Sequence, residues 1–174
     1  MRDMTPDQAA FLLQTYLGTL KVESRTTKNV LQAVPADRAD YRPDPVSKSA
    51  IELVRHIAAA DIRFLDVVRA GAFTAGPGIS EGIGTPAEIA TWYETTYAEA
   101  FEALAKATPD QLLKVVDFRG LFQRPAVMFL VSGLSHTIHH RGQLSSYLRS
   151  MGAKVPAIYG ESYDSAAAKS ASPA

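Results

Sequence analysis

The chain has 174 residues, no cysteine, and a formal net charge of zero from 18 basic and 18 acidic side chains. That length suits one domain around one core. Balanced charge without like-charge runs argues against a nucleic-acid partner. The missing cysteines exclude disulfides, thiolate metal sites and cysteine nucleophiles. The start, MRDMTPDQAA, lacks the apolar segment of a signal peptide. No stretch reaches the roughly 18 apolar residues of a membrane span. A cytoplasmic protein with no membrane partner is expected.

Helix starts are written plainly along the chain. Thr5-Pro6-Asp7-Gln8, Thr85-Pro86-Ala87-Glu88 and Thr108-Pro109-Asp110-Gln111 each set a hydroxyl cap before proline, with Gln or Glu three residues on. Such a capping box satisfies the free N–H groups of a first helical turn. The first helix is expected from Pro6 to Val34, before Pro35. Asp44-Pro45 is a simpler start for a second helix, from Pro45 to Ala70, stopped by Gly71. The glycine-rich loop GAFTAGPGISEGIG precedes a third helix from Pro86 to Ala107. A short helical turn after Pro109 and an irregular VVDFRGLFQ lead to a fourth long helix, from Pro125 to Met151, ended by Gly152. No alternation long enough for a sheet is evident. The expected fold is an all-α four-helix bundle with long connecting loops over residues 1–164. Residues 165–174 are expected to be a flexible tail.

Three of the four histidines fall within SHTIHHRGQ on the last helix. At about 100° per residue, His136 and His140 lie some 40° apart on one edge of its apolar face, while His139 falls on the polar side among serines. His56 occupies the same kind of edge on the second helix. Packing the two apolar faces brings three imidazoles to one rim of the bundle. Such a group suits a divalent transition metal, and it equally suits hydrogen-bonded histidines without an ion. Gln143 and Tyr147 continue the histidine line. Glu52 stands one turn before His56, so each is a candidate for supporting the site or lining its pocket. Arg141 and Asp61 both project into apolar sectors, where opposite charges are expected to pair or to turn outward. Gly142 costs helix propensity and is expected to serve close packing.

The strings HTIHHRGQLSSYLRSMG and SAIELVRHIAAADIRFL, with YRPDP and PAIYGESYD, resemble the DinB/YfiT-like family over the chain to about Asp164. The resemblance rests on H-x-x-x-H-R-G-Q and an upstream helical histidine. It implies a four-helix bundle that binds a divalent ion through His56, His136 and His140, with His139 outside the set. It also implies homodimers and, in some relatives, transfer of low-molecular-weight thiols such as bacillithiol or mycothiol. Zinc or nickel is the expected ion, and iron is compatible with the same ligands. The expected function is that of a metal-dependent thiol S-transferase or hydrolase acting on a small molecule. The alternative is a metal-binding or stress-related module without turnover. No catalytic side chain stands out.

Overall fold

The computed structural model describes residues 4–76 and 78–171. Four long helices carry the fold: α1 (Pro6–Gln32), α2 (Ala50–Ala70), α3 (Pro86–Ala105) and α5 (Phe129–Ser150). Between the last two lie the one-turn α4 (Pro109–Leu113) and a hairpin of β1 (Val115–Phe118) and β2 (Phe122–Pro125). A terminal α6 covers Tyr163–Ala171. Helix α2 is central and packs on both α5 and α3, while α1 covers α3 and α5 from the other side. The buried face of α2 includes Leu53, Val54, Ile57 and Val68, and that of α5 includes Phe129, Leu130 and Leu144. Among the described residues, no helix is long and apolar enough to cross a membrane.

The three Thr-Pro starts are capping boxes in the structure, with Gln8, Glu88 and Gln111 completing them. The second helix begins later than expected. Asp44 does not start it, because its Oδ1 is engaged by the N–H groups of Val46 and Ser47 in a tight turn. The cap is Ser49, whose box closes with Glu52. Val46 therefore lies ahead of the helix and is exposed. The fourth long helix is entered through a short 3-10 turn at Ala126–Met128. It ends in a Schellman arrangement, with the Gly152 N–H bonded to Arg149 O and the Ala153 N–H to Leu148 O. Gly152 has a φ of 70°, where glycine is favoured.

The segments after α3 and after α5 also differ from expectation in secondary structure. The stretch expected to be irregular is an antiparallel hairpin with Val115 opposite Pro125 and Phe118 opposite Phe122. Its turn places Arg119 and Gly120 at positive φ, and the Leu121 N–H bonds to Phe118 O. Two successive positive φ values mark a type I′ turn, whose usual Asn-Gly signature is absent here. The pairing is held by rings: Phe118 stacks on Phe122 at 5.1 Å, and Phe73 meets Phe118 and Phe129 edge-on at 4.9 Å each. The tail expected from Ser165 is instead largely helical. Its base is tied down by Asp164, which accepts from the Val155 N–H and pairs with Arg149 at 2.9 Å. The last three positions of the expected tail, 172–174, lie outside the described residues.

Candidate metal centre

The edges of α2 and α5 meet, and with them the imidazoles. His56 Nε2 lies 3.1 Å from His136 Nε2 and 3.2 Å from His140 Nε2. All three candidate ligand atoms are within 4.8 Å of one another. Donors about 2.0–2.1 Å from one tetrahedral zinc ion stand about 3.3–3.4 Å apart, so the spacing fits a shared ion. The rings are half-buried. Burial first, and the neighbouring His140 second, push His56 down to about 4 and His136 down to about 4. Both imidazoles are thus neutral at pH 7, the form that coordinates metal. His139 is exposed and touches the group only through its ring, 4.8 Å from that of His140.

A chain of hydrogen bonds fixes the tautomer of His140. Its far end is the backbone carbonyl of Lys48, which can only accept. The Tyr147 hydroxyl donates to it at 3.2 Å. The same oxygen then accepts from the Gln143 side-chain N–H at 3.2 Å. That orientation turns the Gln143 carbonyl oxygen to His140 Nδ1, 3.0 Å away, so Nδ1 carries the proton. The lone pair of Nε2 consequently faces the other two histidines. Partners of this kind orient metal-ligating imidazoles and raise their basicity. Gln143 and Tyr147, singled out by helical phase, thus act through His140. Tyr147 is buried, with its ring edge-on to Tyr41 at 5.6 Å. Glu52 does not reach the histidines: it closes the Ser49 cap and pairs with Arg42 at 3.0 Å. It borders a shallow depression beside His56.

Below the histidines, buried polar groups set how α5 sits on its neighbours. Asp61 and Arg141 are both buried, as their phase required, yet they do not pair. Asp61 Oδ2 accepts from Tyr93 Oη at 2.6 Å, and Oδ1 accepts from Thr137 Oγ1 at 2.9 Å. Burial outweighs these bonds and raises the Asp61 carboxyl to about 6. Arg141 turns the other way, to Glu23 at 2.6 Å, to Thr27 Oγ1 at 3.2 Å and to the Tyr159 hydroxyl. Sequence periodicity placed both charges in the core and missed their partners, which come from α1, α3, α5 and the C-terminal segment. The close-packing glycine is also not the expected one. A Cβ on Gly142 would meet nothing within 4 Å, whereas one on Gly133 would lie 2.6 Å from Phe64 Cβ. Phe64 in turn lies against His136, with ring centroids 5.6 Å apart. No local signal distinguishes the two glycines; only the helix crossing does.

Comparison with known proteins agrees with this architecture. The DinB family profile matches residues 7–171. The uncharacterized protein YjoA of Bacillus subtilis (strain 168) is 29% identical over 128 residues, covering 72% of this chain and 82% of that protein. The crystal structure of that DinB-like protein superposes with a TM-score of 0.69 and 22% identity, covering 85% of this chain and 99% of the other. A DinB-like protein from Bacillus cereus ATCC 10987 superposes with a TM-score of 0.61 and 22% identity, covering 84% and 97%.

Proposed function

Because the chain belongs to the DinB family, we propose that it uses His56, His136 and His140 to hold one divalent ion, zinc or nickel by preference, for chemistry on a small molecule. The observation that carries this reading is the convergence of three Nε2 atoms, two of them on imidazoles that are neutral at pH 7. Three protein ligands leave coordination positions for an exogenous group, as catalytic zinc sites do and four-ligand structural sites do not. A bound ion of this type lowers the pKa of a coordinated thiol or water and supplies a nucleophile near neutral pH.

The activity proposed is transfer of a low-molecular-weight thiol to an electrophile, or hydrolysis. In the transfer, a sulfur–carbon bond forms, the bond from that carbon to its leaving group breaks, and the thiol proton departs with the leaving group. The chain's own contribution is orientation. Gln143 and Tyr147 hold His140 with its lone pair inward. Phe64 shields the His136 ring on one side, and the depression beside His56 gives an approach from solvent.

The test is metal-loaded protein with bacillithiol, mycothiol or glutathione and chlorodinitrobenzene, beside a panel of esters and amides. Turnover that disappears in His140→Ala is expected. A loaded protein that turns over none of these would leave a metal-binding module in place of an enzyme.

A further inference from the structure

The depression beside His56 is lined by Ala59 and Ala60, by the cations Lys48, Arg55 and Arg63, and by Glu52, in a volume of ≈ 400 Å³. None of the three cations has a carboxylate partner within 4.0 Å among the described residues. Arg55 reaches across to the backbone oxygen of Ile83. The Nε of Arg63 is buried and has no hydrogen-bond partner. The acid at the rim, Glu52, is already occupied by the Ser49 N–H and by Arg42, which does not line the depression.

This arrangement works against the stability of α2. Lys48 sits just before the helix N-terminus, where the dipole disfavours a cation. Arg55 and Arg63 continue the positive charge along this side of α2, seven and fifteen positions further on. A concave surface with three cations and a single carboxylate, itself bound to Arg42, concentrates negative charge. Guanidinium and ammonium groups are the ordinary partners of carboxylate and phosphate oxygens.

We propose that this depression is an anion subsite, in which Lys48 and Arg63, with Arg55 beside them, receive the carboxylate or phosphate group of the small molecule that reacts at the histidines. The proposal rests on the reading of the histidine cluster as a reaction centre and specifies its substrate class: a small molecule bearing an anionic group a few atoms from its reacting atom. A neutral ligand would leave Lys48, Arg55 and Arg63 without an anionic partner.

The test uses the full chain, metal-free and zinc-loaded, titrated with succinate, with inorganic phosphate and with the neutral succinamide. Binding is followed by the backbone amide resonances of residues 59–63. Saturable shifts are expected with succinate or phosphate, and the stronger of the two identifies the anionic group. Lys48→Gln/Arg63→Gln should weaken binding about tenfold or more, the loss of charge-assisted hydrogen bonds. Lys21→Gln/Arg25→Gln, in the groove between α1 and α3, should bind as the unaltered chain does. Ala59→Glu, which adds a carboxylate to the lining, should abolish binding even if the double variant folds poorly. Equal shifts with succinamide, undiminished binding in the altered depression, or equal loss in the α1–α3 control would overturn the proposal. Zinc content separates the two readings. A chain that takes zinc but no anion defeats the subsite alone, and one that takes the anion but never zinc defeats the metal reading alone.

Discussion

The side-chain oxygen of Gln143 stands 3.0 Å from His140 Nδ1, one turn further along the same helix. The bond decides which nitrogen of His140 is free. Gln143→Leu removes it and lets the ring rotate or exchange tautomer. Zinc affinity, measured against a chromophoric chelator, should fall about 10- to 100-fold, the usual effect of losing such an orienting partner. Gln143→Glu keeps an acceptor at the same place and should recover most of the loss. Wild-type affinity in Gln143→Leu would show that the relay to Lys48 does not govern the ligand.

The histidines themselves should separate cleanly. Elemental analysis of purified His56→Ala, His136→Ala and His140→Ala should find metal lost, and that of His139→Ala should find it kept. His139 is exposed and its contact is with the outer ring of His140. Equal metal content in His136→Ala and His139→Ala would rule out the assignment.

Asp61 should leave a signature in the pH dependence of stability. Its folded-state carboxyl is raised by burial from 3.8 to about 6. Between those values the folded protein holds a proton that the unfolded chain has released. Stability attributable to this group therefore falls as pH rises from about 4 to about 6, and is level above that. The integrated effect is about 3 kcal/mol. The groups around it are Tyr93, Thr137, Arg141 and Glu23. The difference between chemical-denaturation curves of the unaltered chain and Asp61→Asn should slope downward across this window. A flat difference would mean the carboxyl titrates normally.

Two glycines of one helix should respond in opposite directions to alanine. In Gly133→Ala the new methyl would overlap Phe64 Cβ, an atom fixed to the α2 backbone. A loss of about 1–3 kcal/mol is expected, as for other overpacked positions, together with weaker metal binding as α2 and α5 are pushed apart. Gly142→Ala meets nothing and should gain up to about 1 kcal/mol from helix propensity. Thermal melts of the two variants decide the point.

Arg141→Ala should cost about 3–5 kcal/mol. It removes the cation beside Glu23, whose side chain is only 14% exposed, and leaves Glu23 the Tyr159 hydroxyl as its remaining side-chain donor. Asp61 keeps its hydrogen bonds from Tyr93 and Thr137 but loses the nearby positive charge that lowers its carboxyl. A loss below about 1 kcal/mol would place the charge pair among ordinary surface bridges.

The candidate site is half legible in the sequence. Helical phase placed His136 and His140 on one edge, set His139 apart, and aligned Gln143 and Tyr147 with the ligands. It could not show that the relay ends on the Lys48 carbonyl, because Lys48 stands 99 positions away from Tyr147. Glu52 was misread for a related reason. Its spacing to His56 is correct for support, but its spacing to Ser49 is correct for a cap, and the cap wins. The cations of the depression carry no local motif at all.

What the sequence determined by itself is local: where two of the four long helices and the short α4 begin, which face of each is apolar, and which residues ride on each edge. Backbone capping and a period of about 3.6 residues act within a turn or two, so short stretches encode them completely. The tertiary structure decided the rest. It chose Glu23, not Asp61, for Arg141, gave Asp61 to Tyr93 and Thr137, and made Gly133 rather than Gly142 the point of closest approach. It also folded VVDF and FQRP into a hairpin against a cluster of phenylalanines. Each of these depends on the crossing and sliding of whole helices. Helical phase gives the direction in which a side chain points, but only the packing of the neighbouring elements fixes what it meets there.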